Sequence, residues 1–360
     1  MTGSLSPTAR VVVNGNRDAS WTCRPAPSDV RDFHRALPGY APTRLVGLHE
    51  AHGPGSPRVF AKDEAHRLGL PAFKALGASW AIHRALRERA PAGPVTIVTA
   101  TDGNHGRAVA RFAREFGHRA SVFVPDGVHP AAVRAIRDEG AQVTHVSGDY
   151  DTAVATAAAA VGDGILVQDT AWPGYEDIPG WIVDGYDTLF AELDDQLAAE
   201  GIARPGLVVV PAGVGSLLQA ALTHYRSTTA LPGTAVVSVE PESAACVLSS
   251  VAAGYPVTVA TGTTSMAGLN CGTVSSLAWP RIRPGLDGCV AVTDAEVADA
   301  ARKLARLGID AGPCGAAPLA AWNALRAAAT DARLPPDTVV LLVTEGSAAN
   351  PGPGSYRLEA

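Results

Sequence analysis

Lysine occurs only at Lys62, Lys74 and Lys303 in this 360-residue chain, among 29 basic residues. Arginine serves wherever a solvated positive charge is enough, but a guanidinium keeps its proton at working pH and cannot form a Schiff base. The remaining lysines of an arginine-rich chain therefore mark places where amine chemistry is needed, or else they are accidents of coding drift. Lys62 and Lys74 share the segment 61–77, Ala-Lys-Asp-Glu-Ala-His-Arg-Leu-Gly-Leu-Pro-Ala-Phe-Lys-Ala-Leu-Gly. Lys74 is the stronger candidate, because Phe73 and Leu76 flank it and no acid sits at helical spacing on either side. Apolar surroundings push a lysine toward the neutral, nucleophilic amine.

Three other clusters carry polar chemistry. In Pro211-Ala-Gly-Val-Gly-Ser216 the closely spaced glycines let backbone N–H groups approach an anion, and a following helix N-terminus adds its dipole. The same residues also suit a tight strand-to-helix turn. No Gly-Lys-Ser/Thr follows, so this is not a P-loop, and the dinucleotide fingerprint is incomplete. Thr101-Asp-Gly-Asn-His-Gly106 offers a carboxylate, an amide and an imidazole on one turn, where Asp102 and Asn104 could equally be local caps. Gln168-Asp-Thr-Ala-Trp-Pro-Gly-Tyr-Glu176 pairs the Asp169 carboxylate with two aromatics, a combination suited to a cationic group.

These clusters need elements to hold them. Val95–Ala100 reads as a strand, followed by a helical pattern through Val109, Phe112 and Phe116 that closes at Gly117. Ala120–Pro125 is the next strand, and Pro130–Glu139 the next helix, with Gly140 just past its end. Gln142–Val146, Ala153–Val161 and Ile165–Asp169 repeat the alternation, as do Leu207–Ala212 with the helix after Ser216, Ala235–Glu240 and Thr338–Thr344. Continuous apolar strands bounded by glycine and proline are those of buried parallel sheets, so the expected class is α/β with right-handed crossovers. Ligands in such folds bind outside the carboxyl ends of strands, where the Asp102, Asp169, Gly213 and Thr344 loops all lie. The strands cluster in two groups. They predict a small lobe over 91–185 and a large lobe built from 1–90 and 186–360, with the active site in the cleft between them.

A net charge of −6 argues against nucleic acid as the main partner. No apolar run approaches the roughly 20 residues of a membrane span, and the N-terminal stretch is too short for a signal h-region. A cytoplasmic protein is expected. Its five cysteines are widely spaced without a metal-binding pattern, so reduced thiols and no metal are expected too.

The Phe-Lys-Ala-Leu-Gly lysine, the Asp-Gly-Asn-His-Gly loop and the later glycine loop together resemble the fold-type II pyridoxal-phosphate enzymes, the tryptophan synthase β-like group. The likeness runs from Val59 to about Tyr356. It includes Val239-Glu-Pro241, Met266-Ala-Gly-Leu-Asn-Cys-Gly272 and Thr344-Glu-Gly346. Asp102 stands where general serine/threonine dehydratases carry serine. With the Asp169 segment, it makes the chain most similar to the diaminopropionate ammonia-lyase branch. The resemblance implies a two-lobed enzyme with parallel-rich sheets flanked by helices, acting as a homodimer on a small amino-acid substrate. It implies that Lys74 carries the pyridoxal 5′-phosphate cofactor and that Ala212, Gly213, Val214, Gly215 and Ser216 hold its phosphate. Asn104 would lie by the ring 3′-oxygen and Thr344 would partner the ring nitrogen.

On that resemblance, Lys74 takes the Cα proton of an L-substrate, Asp102 serves a D-substrate, and Asp169 binds or protonates the departing β-amine. The implied reaction is α,β-elimination of 2,3-diaminopropionate to pyruvate and ammonia. A serine/threonine dehydratase, a β-replacement enzyme and a non-catalytic ligand-binding relative are the alternatives. Two segments depart from the family pattern. Ser-Gly-Glu-Ser-Gly-Ala appears as Ala311-Gly-Pro-Cys-Gly-Ala316, and Ser347-Ala-Ala-Asn-Pro351 replaces Thr-Asp after the C-terminal Glu-Gly.

Overall fold

The computed structural model describes residues 10–48, 56–101, 103–328 and 337–349. Asp102 and Tyr356 lie outside the described residues. Apolar β-branched runs form the middle of a seven-stranded sheet. Its strands are β1 (Val11–Val13), β2 (Arg44–Gly47), β3 (Arg58–Asp63), β8 (Leu207–Pro211), β9 (Ala235–Pro241), β10 (Gly288–Val292) and β11 (Thr338–Val343). The spatial order is β1-β10-β9-β8-β11-β3-β2. The five inner strands pair in parallel, while β1 and β2 run antiparallel along the two edges. All five residues of β8 and all six of β11 are buried, as expected of strands covered on both faces.

A second, wholly parallel sheet has the order β6-β5-β4-β7. Its strands are β4 (Thr96–Ala100), β5 (Arg119–Pro125), β6 (Gln142–Val146) and β7 (Ile165–Leu166). The expected strand over Ile165–Asp169 is cut short after two residues. Beyond it, the Gln168 N–H donates to the Tyr175 hydroxyl (2.8 Å) instead of to a neighbouring strand. That hydroxyl in turn donates to the Leu166 carbonyl (2.9 Å), so a tight turn takes over from the ladder.

The helices are α1 (Val30–Arg35), α2 (Lys74–Arg89), α3 (Asn104–Glu115), α4 (Pro130–Asp138), α5 (Tyr150–Ala159) and α6 (Asp177–Gly185). They continue with α7 (Asp187–Ala199), α8 (Ser216–Tyr225), α9 (Cys246–Ala253), α10 (Trp279–Gly285), α11 (Asp294–Arg306) and α12 (Pro313–Ala328). Two glycines set where α2 lies. A Cβ on Gly77 would come within 2.6 Å of the Tyr186 ring, and one on Gly185 within 2.6 Å of the Leu76 carbonyl. Helices α2 and α6 therefore touch backbone to backbone, and this contact holds the helix whose first residue is Lys74. Among the described residues, no helix is long and apolar enough to cross a membrane.

Lys62 is wholly buried on β3. Its ammonium donates to Glu192 (2.9 Å), Gln196 (2.9 Å) and the Thr43 carbonyl (2.9 Å). Arg67 bridges the same Glu192 (2.7 Å) to Glu64 (2.7 Å), which makes a closed network of buried charges. Lys303 lies half-buried on the last turn of α11.

His224 on α8 clamps α7 by meeting Asp187 at 2.8 Å and Asp194 at 2.9 Å. Burial lowers its pKa, but hydrogen bonds and charge from the two carboxylates outweigh burial and push it up to about 9. A raised folded-state pKa gives stability that is fully present below the unfolded value, about 6.5, and is lost as pH rises through the folded one. Stability is therefore expected to fall by on the order of 3 kcal/mol between about pH 6.5 and 9. Urea unfolding of the parent and of His224→Gln across that range checks it. A parent that loses no more stability than the variant would contradict the assignment.

Candidate active site

Lys74 opens α2 after the turn Pro71-Ala-Phe73, which is pinned to the C-terminal end of β11. The Phe73 N–H donates to the Thr344 carbonyl (3.1 Å), and the Gly346 N–H to the Pro71 carbonyl (2.9 Å). Thr344, itself buried, thus ends up within one residue of Lys74. A cation at the first position of a helix faces the positive end of the macrodipole. The carboxylate that compensates comes from far along the chain: the Lys74 ammonium donates to Asp169 Oδ2 at 2.6 Å across a separation of 95 residues. Sequence reading expected apolar surroundings for Lys74. The structure corrects this with an ion pair that no local spacing announces.

A directional chain holds Asp169. The Gln168 side-chain oxygen accepts from the Ala100 N–H (2.9 Å) and from Thr99 Oγ1 (3.1 Å), so its amide nitrogen must face the other way. That nitrogen donates to the Tyr150 oxygen (2.7 Å), which leaves the Tyr150 proton to be donated to Asp169 Oδ1 (3.1 Å). His105 Nε2 faces the Val167 carbonyl (2.8 Å) and therefore carries the ring proton, and Nδ1 sits 3.9 Å from Asp169 Oδ2. Burial pushes the Asp169 carboxyl up. The charges of His105 and Lys74 and the hydrogen bonds from Lys74 and Tyr150 outweigh it and hold the carboxyl well below the usual range. Burial lowers the His105 pKa against the pull of Asp169. Tyr150 and Gln168 were not singled out from sequence. The only local signal was the Gln beside Asp169 at a strand end.

The glycine loop closes the other side. Gly215, in the left-handed region at φ +99°, caps α8, whose first residue is Ser216. Ser216 Oγ donates to the Asp169 carbonyl (3.1 Å), tying this loop to the acidic one. A Cβ on Gly213 would come within 3.0 Å of both Cys271 Sγ and the Gly268 carbonyl, so a side chain here would crowd both neighbours. Asn104, at the start of α3, donates from Nδ2 to Glu345 Oε2 (2.6 Å). The structure thus brings together the loops of Lys74, Asn104, Asp169, Ala212–Ser216 and Thr344. The Trp172 and Tyr175 rings stack on each other at 4.3 Å, with the tyrosine hydroxyl committed to backbone.

A lysine amine beside an ionised carboxylate, on a segment tied to a glycine loop at a helix N-terminus, is a constellation with known relatives. The model of the family described as pyridoxal-phosphate dependent enzyme matches residues 36–345. The chain belongs to the pyridoxal-phosphate dependent enzyme family. It is 36% identical over 308 residues to the diaminopropionate ammonia-lyase of Salmonella typhimurium, which covers 76% of each chain. The crystal structure of Escherichia coli diaminopropionate ammonia lyase in complex with D-serine superposes with a TM-score of 0.85. It is 29% identical and covers 94% of both chains. A second structure of that enzyme, with an aminoacrylate-PLP azomethine reaction intermediate, gives a TM-score of 0.84 at the same identity and coverage.

Pyridoxal phosphate is the cofactor of this family member, and the residues present fit it. Lys74 offers the amine. The side-chain-free turn at Gly213 and the N-terminus of α8 suit a phosphate. The fold agrees with the two-sheet α/β architecture of fold-type II enzymes.

Proposed function

We propose that this chain is an ammonia-lyase that eliminates the β-amine of 2,3-diaminopropionate as ammonia, after which water hydrolyses the released enamine to pyruvate and frees the α-amine as a second ammonia. The observation that carries this reading is the Lys74–Asp169 contact at 2.6 Å. Asp169 is a carboxylate held ionised and already matched to an ammonium. When Lys74 is engaged with the cofactor, the same oxygen is the natural partner for a substrate β-ammonium. An amine leaves poorly unless protonated, whereas a hydroxyl leaving group has no use for an ion pair of this kind. The 36% identity to the Salmonella enzyme supports the same substrate.

Pyridoxal phosphate, when bound, supplies the electron sink for the pair released at the substrate's Cα. Lys74 would hold it covalently, and its amine, when free, would take the Cα proton of an L-substrate. Asp102 does so for a D-substrate. Asp169 orients the β-ammonium and keeps its proton on nitrogen, so that the bond to Cβ breaks with release of ammonia. Ala212, Gly213, Val214, Gly215 and Ser216 would bind the phosphate, Asn104 would lie by the ring 3′-oxygen and Thr344 by the ring nitrogen. The cleft lies between a small lobe of residues 91–185 and a large lobe of 1–90 and 186–360. This reading is supported by the separate sheets that these segments form. The enzyme acts in the cytoplasm as a homodimer, a state that light scattering tests.

The decisive experiment records the visible spectrum of the purified protein with pyridoxal phosphate, and then pyruvate release from each diaminopropionate isomer, serine and threonine. Pyruvate from diaminopropionate is expected. Release from serine or threonine alone would make the protein a dehydratase, and a protein that takes up no cofactor would be a non-catalytic relative. Asp102→Asn is expected to slow the D-isomer more than the L-isomer.

A further inference from the structure

We infer that Glu345 is a positioning residue: its carboxylate fixes which way the Asn104 amide faces and ties the start of α3 to the end of β11. The inference rests on the proposed role of Asn104 beside the cofactor. A carboxylate accepts hydrogen bonds and an amide has two distinct ends, so a glutamate partner decides the amide's orientation. Asn104 Nδ2 faces Glu345 Oε2 at 2.6 Å. That leaves the side-chain oxygen and the second N–H of Asn104 for other partners.

Glu345 is itself held rigidly, as an orienting group must be. It is 2% exposed, and its Oε1 accepts from the Cys314 N–H (3.2 Å) in the first turn of α12. Its backbone bridges to Ala72, two residues before Lys74, and its carbonyl accepts from the Gly312 N–H (3.0 Å). The turn around it packs closely against this residue. A Cβ on Gly312 would come within 3.1 Å of Glu345 Oε1, and one on Gly315 within 2.5 Å of its carbonyl oxygen. Pro313 stands where the family pattern carries a glutamate, and it is Glu345 that gives a carboxylate to this turn's backbone. One residue therefore links the lysine turn through its backbone, and the Asn104 loop and α12 through its side chain.

The test is a double-mutant cycle on the holoenzyme: parent, Asn104→Ala, Glu345→Gln and the double variant. Each is titrated with pyridoxal phosphate, following the visible band of the lysine-bound cofactor, and each is melted. A glutamine has one acceptor. It can serve Asn104 Nδ2 or the Cys314 N–H, and the other is left facing a donor. Each single variant is expected to weaken cofactor binding by about tenfold, the cost of one buried unmatched polar group. The double variant is expected to bind no worse than Asn104→Ala, because the glutamine can then turn its oxygen to Cys314. Losses that multiply toward about a hundredfold, or a Glu345→Gln protein that melts lower yet binds cofactor as the parent does, would overturn the inference and leave Glu345 as a helix cap. A parent that forms no visible band would instead sink the proposed function, and this inference with it.

Discussion

Lys74→Ala is expected to remove the visible band of the lysine-bound cofactor and to lower elimination by about 10⁴-fold or more. The substitution takes away the covalent anchor and also a general base, a role worth roughly 10²–10⁴ by itself. It further strips Asp169 of the ammonium 2.6 Å away, so the carboxyl rises toward its ordinary range. Lys62→Ala is the control with the opposite signature. Lys62 is wholly enclosed with Glu192 and Gln196, and its loss leaves a buried network short of one cation. Breaking such a pair costs about 3–5 kcal/mol. Lys62→Ala should therefore unfold at lower urea while retaining the band at saturating pyridoxal phosphate. Absorbance titration and urea unfolding of both variants separate the two roles. A band that survives in Lys74→Ala and vanishes in Lys62→Ala would reverse them.

Asp169→Asn is expected to slow diaminopropionate elimination by roughly 10²–10⁴, with a smaller effect on any residual turnover of serine. An amide cannot hold the β-ammonium or keep its proton in place. The pH dependence follows from the direction of the shift. A depressed folded-state pKa gives stability that is present above the unfolded value, about 4, and is lost only as pH falls through the still lower folded value. The stability of the cofactor-free protein should therefore show no Asp169 titration above about pH 4. Tyr150→Phe removes the donor to Oδ1 and moves the carboxyl up, for an expected loss of about tenfold in kcat/KM. Steady-state rates on diaminopropionate and serine over a pH series check both variants. Equal losses on both substrates in Asp169→Asn would sink its role at the leaving amine.

Much of the molecule was legible in the sequence because its signals are local. Strand and helix periods gave the parallel strands from Thr96 onward other than β10, since a strand buried on both faces leaves a continuous apolar run. Amine scarcity and the apolar flanks of Lys74 marked it as the candidate amine, because no other side chain supplies that chemistry. The glycines at 213 and 215 were readable because only a missing side chain or a positive φ explains them.

The pairings across the site were decided by tertiary structure alone. Sheet order, and not spacing along the chain, brings Asp169 to Lys74, Tyr150 to Asp169 and Glu345 to Asn104. Lys62 and Lys74 share one short segment, yet one is sealed in a charge network while the other opens a helix at the site. A sequence states which groups are present and what each can do. Which acid faces which base depends on the crossing of α2 and α6 and on the strand ends that meet β11, and those contacts exist only once the chain is folded.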